Sequence, residues 1–129
     1  MIEPQKVDFI AVPTQDRDRA EKFYAETLGL EKNPLSTEGW VEFETGNVTL
    51  ALVRPEQIGL DFAPLPFGSI AIRVPDVAEA RRRLEDAGIE FKGETWDSGV
   101  CNGAAFHDSE GNGLLLHHRY APFADGREP

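Results

Sequence analysis

The sequence has few of the features that mark a secreted, membrane-spanning or disulfide-stabilised protein. It contains one cysteine, Cys101, which excludes an internal disulfide and is typical of a reducing compartment. No apolar stretch approaches the roughly 20 residues that a membrane-spanning helix needs. The polar start of the sequence also lacks the hydrophobic segment of a signal peptide. We therefore expect a cytoplasmic protein that does not bind a membrane.

Positive charge is also scarce. Thirteen Lys and Arg residues stand against 23 Asp and Glu residues, which gives a formal net charge of −10. The only basic cluster, at 81–83, shares a predicted helix with acidic residues, a pattern typical of a solvated helix face. No basic run is long enough to follow a phosphate backbone. The composition therefore argues against nucleic acid as a partner.

What the sequence does contain is an internal repeat. Its 129 residues, 40% of them hydrophobic, suffice for one compact domain but not for two independent cores. The segment 9–20 nevertheless returns in similar form at 69–80, about 60 residues later. The repeat predicts two similar structural units, in which equivalent positions can be compared.

Each copy of the repeat predicts a strand, a helix and three further strands. Apolar residues alternate in the first strand, and Asp16 and Asp76 then stand where a helix cap is expected. Gly29 and Gly88 are typical of the points where these helices end. The remaining strands are predicted from their period of two or from their position, at 31–36, 40–44, 48–53, 89–95, 99–107 and 114–118. We therefore expect an α+β fold of two βαβββ modules.

These elements divide the single domain 1–129 into four parts. Module one covers about 7–53 and module two about 69–118. A proline-containing linker, 54–68, joins them, and a tail, 119–129, follows.

The order of the motifs resembles the vicinal oxygen chelate superfamily, which includes glyoxalase I, extradiol dioxygenases and the bleomycin and fosfomycin resistance proteins. The matching pieces, within 7–118, are the strand before Asp16, the helix end Phe-Tyr-Ala-Glu-Thr-Leu-Gly-Leu at 23–30, the strand 70–74 with Asp76, and Asp-Ser-Glu-Gly-Asn at 108–112. The resemblance implies that the two modules form a curved mixed sheet with the helices on its convex face. It also implies a cavity on the concave face and homodimerisation, which is common in the family.

The same resemblance implies where a metal would bind. The family uses His, Gln or Glu at the start of each first strand and Glu on each last strand. In this sequence those positions fall on Phe9, Ser69, Leu115 and Leu50 or, with a slipped register, Ala51 or Leu52. None of these side chains offers the imidazole nitrogen or carboxylate oxygen that such metals require. We therefore expect no metal and no other cofactor.

Three residues are candidates for chemistry, each with a structural alternative. His117 shares strand parity with Leu115 and could move a proton near neutral pH, or it is an ordinary histidine at a strand end. His118 points to the opposite face, so the two do not form a chelating pair. Cys101 is a possible nucleophile or a small core residue. Arg73, on the parity of Ser69, either binds an anionic ligand group or forms an internal salt bridge with Glu42 or Glu44.

Aromatic residues supply the candidate binding surface. Alternation places Trp40 on the same face as Glu42 and Glu44, where it and Phe9 would form flat apolar walls, if they are not simply core residues. The nearby carboxylates would favour a neutral or cationic aromatic ligand. His107, beside the turn at 108–112, is interpreted as a loop residue. The predicted ligand-binding set is Phe9, Trp40, Ser69, Arg73, Leu115 and His117.

Two functions remain open from the sequence. The first is a metal-independent small-molecule-binding protein of the glyoxalase/bleomycin-resistance type, with an organic ligand in the concave cavity. The alternative is a glyoxalase- or dioxygenase-like enzyme, with a displaced metal site or with metal-free chemistry through His117, Arg73 or Cys101. An interaction module without a ligand would instead have a filled concave face.

Overall fold

The computed structural model describes residues 1–129. They form two compact units, Met1–Pro64 and Leu65–Pro129, each with one copy of the repeat. We call these units module one and module two; their boundary lies inside the predicted linker. Each has one four-stranded mixed sheet, so the predicted α+β class and the paired βαβββ pattern are confirmed. Neither module contains a helix with the length and apolar character that a membrane span requires.

Module one builds its sheet in the order β1-β4-β3-β2, with β1 parallel to β4 and the other pairs antiparallel. Its elements are β1 (Phe9–Pro13), α1 (Arg17–Lys22) continued by a π-helical turn (Phe23–Thr27), β2 (Glu31–Lys32), β3 (Val41–Glu44), β4 (Thr49–Val53) and a 3₁₀ turn (Pro55–Ile58). The crossover through α1 is what allows β1 and β4 to run parallel.

Module two repeats this topology in the order β5-β8-β7-β6, again with one parallel pair, β5 and β8. Its elements are β5 (Ile70–Arg73), α2 (Val77–Asp86), β6 (Lys92–Asp97), β7 (Cys101–His107) and β8 (Gly113–Arg119).

Both helices begin as the sequence predicts. The Asp16 carboxylate accepts a hydrogen bond from the backbone N–H of Arg19, and Asp76 accepts one from Glu79, each at 3.0 Å. These bonds satisfy N–H groups that have no partner inside a helix. On α2, Arg82 and Arg83 hold the pKa of the exposed Glu79 carboxyl down to about 2. The basic cluster 81–83 is therefore part of an ion-paired helix surface.

Each module buries one face of its sheet against its helix. In module one the buried side chains on the helix side are Val12, Ala20, Phe23, Tyr24, Val41, Phe43, Leu50 and Leu52. In module two they are Ile70, Val77, Leu84, Ala104, Phe106, Leu114 and Leu116, while Ala51 and Ala105 are buried on the other side of their sheets. Alternation along the strands then turns the intervening residues to the opposite face. We call that surface the helix-free face of each module.

The turn at 108–112 fixes the start of β8. The buried Asp108 carboxylate accepts hydrogen bonds from the N–H groups of Glu110 and Asn112, and Asn112 Oδ1 accepts one from Leu65 N–H at 2.8 Å. The segment before β5 is thereby held over Gly113, where an added Cβ would lie 2.3 Å from the Pro66 carbonyl oxygen. Only glycine fits at this position without a backbone shift.

Three local predictions need correction. The strand predicted over 31–36 covers only Glu31–Lys32, because the chain then turns, with Ser36 N–H bonded to the Asn33 carbonyl. The strand predicted over 89–95 lies later, at Lys92–Asp97. His107 is not a loop residue: it ends β7 and pairs in register with Gly113.

Candidate functional site

The helix-free face of module one carries an exposed aromatic pair. The rings of Phe9 and Trp40 meet edge to face with centroids 5.4 Å apart. Trp40 donates its indole N–H to the Glu42 carboxylate, which places it on the face that alternation predicts. Phe9 remains 48% exposed and Trp40 38% exposed, so neither is a core residue. The pair offers a flat apolar surface to solvent.

Next to this pair, two carboxylates lie side by side. The side-chain amide of Asn33 donates to Glu42 Oε2 at 3.4 Å and to Glu44 Oε1 at 2.9 Å. The Thr49 hydroxyl donates to Glu44 Oε2 at 2.9 Å. Both carboxylates are held by neutral donors and neither forms an ion pair, so this face is negatively charged. No pattern in the sequence predicted that Asn33 would lie here.

The helix-free face of module two carries a row of residues from all four strands. The register places Arg73 of β5 beside His117 of β8, His117 beside Gly103 of β7, and Gly103 beside Trp96 of β6. The Trp96 indole covers Gly103, where an added Cβ would come within 2.5 Å of Trp96 Cζ2. Its centroid is 6.0 Å from that of His117. The row therefore ends in a flat indole surface that is 38% exposed.

Trp96 was missing from the residues predicted from the sequence. The signal that could have found it is Gly103, because a glycine inside a strand often marks a close approach by another group. Trp96 pairs with Gly103 only after a β-bulge between Lys92 and Trp96. Simple alternation along β6 therefore does not identify the pairing of Trp96 with Gly103.

Arg73 differs from its prediction in one respect. It is exposed rather than buried, and Nη2 donates to the backbone carbonyl of Arg119 at 3.2 Å. Arg73 makes no ion pair within module two, so the predicted alternatives of an anionic ligand group and of a salt bridge with Glu42 or Glu44 stay predictions. An exposed guanidinium stays hydrated, which removes the need for a carboxylate partner.

Arg119 brings a second guanidinium to the same face, because it follows His117 by two residues in β8. Its Nη2 donates to the Pro122 carbonyl at 2.9 Å, and its guanidinium stacks on the Phe123 ring at 4.6 Å. Arg119 Nε is buried without a hydrogen-bond partner. The segment predicted as a tail, 119–129, thus begins within β8 and continues as a turn packed on that strand's last residue.

A tyrosine–carboxylate pair anchors this segment beside Trp96. Tyr120 donates its hydroxyl to Asp97 Oδ1 at 2.6 Å. That bond, together with one from Gly99 N–H, lowers the pKa of Asp97, and the same bond raises the pKa of Tyr120. Tyr120 N–H also donates to the Val100 carbonyl at 3.1 Å. The chain after β8 is therefore tied to the β6–β7 turn.

Cys101 and His118 lie on opposite faces of the module two sheet. Cys101 is half-buried on the helix-free face, where it pairs in register with Arg119, and its Sγ lies 3.3 Å from the Ser98 hydroxyl, which is not a base. His118 faces the helix side, with Nδ1 at 3.0 Å from the Val74 carbonyl. His117 therefore shares its face with Arg73 and Trp96, but not with His118.

The residues at the family's metal positions do not fit a metal ion. Leu50 and Leu52 are buried on the helix side, which leaves Ala51 on the face of Phe9. The Ser69 hydroxyl donates to the Pro66 carbonyl at 2.6 Å, and Leu115 packs against Gly68. Phe9, Ala51 and Leu115 have no donor atom. Nor does either module gather three His, Cys, Asp or Glu side chains in a group able to hold a metal.

A separate polar cleft of about 510 Å³ lies in module one, between the start of α1 and the segment 36–38. Arg17 lines it, donating to the Glu38 carbonyl and to Gln57 Oε1, while its Nε is buried without a partner. None of the predicted ligand-binding residues lines this cleft.

Comparison with known proteins agrees with this architecture. Residues 6–116 match the family described as the Glyoxalase/Bleomycin resistance protein/Dioxygenase superfamily. No curated protein is significantly similar to the chain in sequence. Several solved structures share its fold.

Three of these solved structures show how similar the fold is and how low the sequence identity is. A member of the same superfamily from Sphaerobacter thermophilus is 24% identical, with a TM-score of 0.75 over 90% of this chain and 98% of its own. A lactoylglutathione lyase from Agrobacterium tumefaciens is 24% identical, with a TM-score of 0.72 over 89% and 94%. TnmS3, an antibiotic binding protein from a Streptomyces species, is 23% identical, with a TM-score of 0.74 over 92% and 98%.

At these identities the structural similarity establishes the fold, and the family match establishes the ancestry of the sequence. The match covers residues 6–116 of 129, which include module one's βαβββ elements and those of module two as far as the middle of β8. This chain belongs to the glyoxalase/bleomycin resistance protein/dioxygenase superfamily.

Proposed function

We propose that this protein binds a small organic molecule without a metal ion, using the helix-free faces of its modules. The observation that carries the proposal is the replacement of metal donors by Phe9, Ala51, Ser69 and Leu115 at the family's metal positions. The exposed Phe9 and the half-buried Leu115 at two of these positions favour contact with an organic ligand over coordination of an ion.

The exposed aromatic residues support the same function. Phe9, Trp40 and Trp96 all lie on helix-free faces and keep between 38% and 48% of their surface exposed. A large aromatic side chain loses unfavourable contact with water when a ligand covers it, and a flat ring adds a preferred stacking geometry. Ligand binding therefore gives these side chains a role that core packing does not.

The fold itself is compatible with both binding and catalysis. Among the similar structures one is an antibiotic binding protein and another is a lyase, so the choice depends on the residues of the site. The catalytic alternative would require a base near Cys101 or chemistry through His117 and Arg73. The Ser98 hydroxyl beside Cys101 does not supply that base.

We also propose that the protein acts in the cytoplasm and as a homodimer. The single cysteine supports a reducing compartment, and dimers are common among related proteins. Analytical ultracentrifugation would measure the oligomeric state.

Tryptophan fluorescence tests the binding function directly, because the only two tryptophans, Trp40 and Trp96, lie on different modules. The wild-type chain and the variants Trp40→Phe and Trp96→Phe would be titrated with a panel of aromatic compounds. We expect saturable quenching in the wild type that persists in at least one variant. Quenching that never saturates and equals that of free N-acetyltryptophanamide would contradict the proposal.

A further inference from the structure

The distribution of ion pairs in module two separates its arginines into two groups. Four of the six arginines of this module, Arg81, Arg82, Arg83 and Arg127, pair with a carboxylate. The other two, Arg73 and Arg119, donate only to backbone carbonyls. Both unpaired arginines lie on the helix-free face. These two arginines lack a carboxylate partner in a chain that has 23 acidic residues and a net charge of −10.

Arg73 is the guanidinium that a ligand can reach. It is exposed, and its single hydrogen bond to the Arg119 carbonyl leaves most of its N–H donors unoccupied. Arg119 is held differently, since it stacks on Phe123 and donates to Pro122. Arg119 therefore contributes positive potential, while Arg73 can form a charge-assisted hydrogen bond with an incoming anion.

The same face supplies a flat surface at the other end of the row. Trp96 lies over Gly103, and the register places His117 between Gly103 and Arg73. The indole thus lies over β7, and only β8 stands between β7 and the strand of Arg73, β5. Neighbouring strands are about 5 Å apart. A planar ring on Trp96 would bring an acidic substituent towards Arg73 and past the His117 imidazole.

We propose that the helix-free face of module two recognises a planar organic anion, such as an aromatic carboxylate, with its ring against Trp96 and its charge on Arg73. This inference rests on the proposed binding function and adds the class of ligand. It revises the preference expected from Trp40, whose carboxylate neighbours Glu42 and Glu44 favour cations. Those carboxylates belong to module one, whereas Arg73 and Arg119 lie on the helix-free face of module two.

The test uses three probes that share one ring system and differ in charge. These are 2-naphthoate, neutral 2-naphthalenemethanol and the 2-naphthylmethylammonium cation. Nitrogen-15 NMR would follow the two indole N–H signals, one for each module, and calorimetry would measure the affinities. We expect naphthoate to bind most tightly and to move the Trp96 signal more than the Trp40 signal.

The variant Arg73→Met keeps the apolar part of the side chain and removes its charge. It should weaken naphthoate binding about tenfold, because a hydrogen bond to an ionised group is lost, and leave binding of the alcohol unchanged. The matched control is Arg83→Met, which removes the same charge from an exposed position on α2. Its affinity for naphthoate should equal that of the wild type. Trp96→Leu should weaken binding of naphthoate and of the alcohol alike.

Several results would overturn the inference. Equal or tighter binding of the alcohol or the ammonium compound would do so, as would unchanged naphthoate affinity in Arg73→Met or a response confined to Trp40. These outcomes leave the proposed binding function standing. No movement of either indole signal with any probe would contradict both proposals.

Discussion

The two modules pack similar apolar side chains against their helices but differ in the chemistry of their helix-free faces. On the core side Phe43, Leu50 and Leu52 of module one correspond in register to Phe106, Leu114 and Leu116 of module two. On the other side, Glu42 and Glu44 of module one correspond to Ala105 and His107 of module two. Pro13 and Val53 correspond to Arg73 and His117. At these positions module one has two carboxylates, whereas module two has an arginine and two histidines.

This difference shows which residues of the repeat are constrained by folding. Side chains that pack against a helix must fill a fixed volume, because loss of buried atoms leaves a cavity and extra atoms cause strain. The exposed side chains of the helix-free face, such as Phe9, Trp40, Arg73 and Trp96, meet solvent, so substitutions there cost little stability. The fold therefore preserves one face of each sheet and leaves the other available for recognition.

The largest expected effect concerns the residue that begins the last strand of each module. Thr49 in module one carries a hydroxyl that binds Glu44, while Gly113 in module two lies under the backbone of residues 66–68. Gly113→Ala should lower the free energy of unfolding by about 3 kcal/mol, because the new Cβ meets backbone atoms that cannot move aside. Urea denaturation would measure it.

Gly39→Ala is the control for this substitution, because nothing lies within 4 Å of an added Cβ at that position. Its stability should stay within about 0.5 kcal/mol of the wild type. If Gly113→Ala were as stable as Gly39→Ala, the segment before β5 would not be packed on β8 as described.

A smaller effect is expected from the acidic face of module one. Asn33→Ala removes the amide that donates to both Glu42 and Glu44. We expect a loss of about 1–2 kcal/mol, since hydrogen bonds to charged groups are lost and the carboxylates then repel each other. Urea denaturation at low and at high salt would separate these causes, because salt screens only the repulsion.

The exposed Asn47, whose side chain contacts only Thr45, is the position for a matched Asn→Ala control. That variant should show neither the loss of stability nor its salt dependence. A loss in Asn33→Ala that salt does not reduce would contradict the role assigned to carboxylate repulsion.

The smallest effect concerns the anchor beside Trp96 in module two, and it depends on pH. The pKa of Asp97 is lowered, so its contribution to stability is present above its ordinary pKa and is lost as the pH falls through the lowered value. The pKa of Tyr120 is raised, so its contribution is present below its ordinary pKa and is lost as the pH rises through the raised value. The bond thus stabilises the fold between these limits.

Tyr120→Phe should raise the pKa of Asp97 towards its ordinary range, and NMR titration of the carboxyl carbons would measure the change. The difference in stability between this variant and the wild type should disappear in acid. An unchanged Asp97 pKa in Tyr120→Phe would show that the Gly99 N–H alone causes the shift.

Much of this fold follows from the sequence, because its signals are local. The repeat, the caps Asp16 and Asp76 and the alternating apolar residues are enough to predict both βαβββ modules. Strand bounds were less accurate at 31–36 and 89–95. There the hydrogen bonds of a turn and a β-bulge decide where pairing begins, and neither is visible in the pattern of apolar residues.

The candidate site was less predictable, because it depends on contacts between strands. Alternation correctly placed Trp40 with Glu42 and separated His117 from His118. It did not identify Trp96, whose position depends on the space above Gly103. It also placed Arg73 on the correct face without revealing that the guanidinium would be exposed and unpaired with a carboxylate.

The metal content of the untreated protein tests the central claim most directly. Elemental analysis of protein purified without chelators would measure Fe, Zn, Mn and Ni per chain. The proposed metal-independent binding function predicts far less than one equivalent of any of these metals. A stoichiometric metal, lost on replacing one of this chain's own acidic or histidine side chains on a helix-free face, would contradict it.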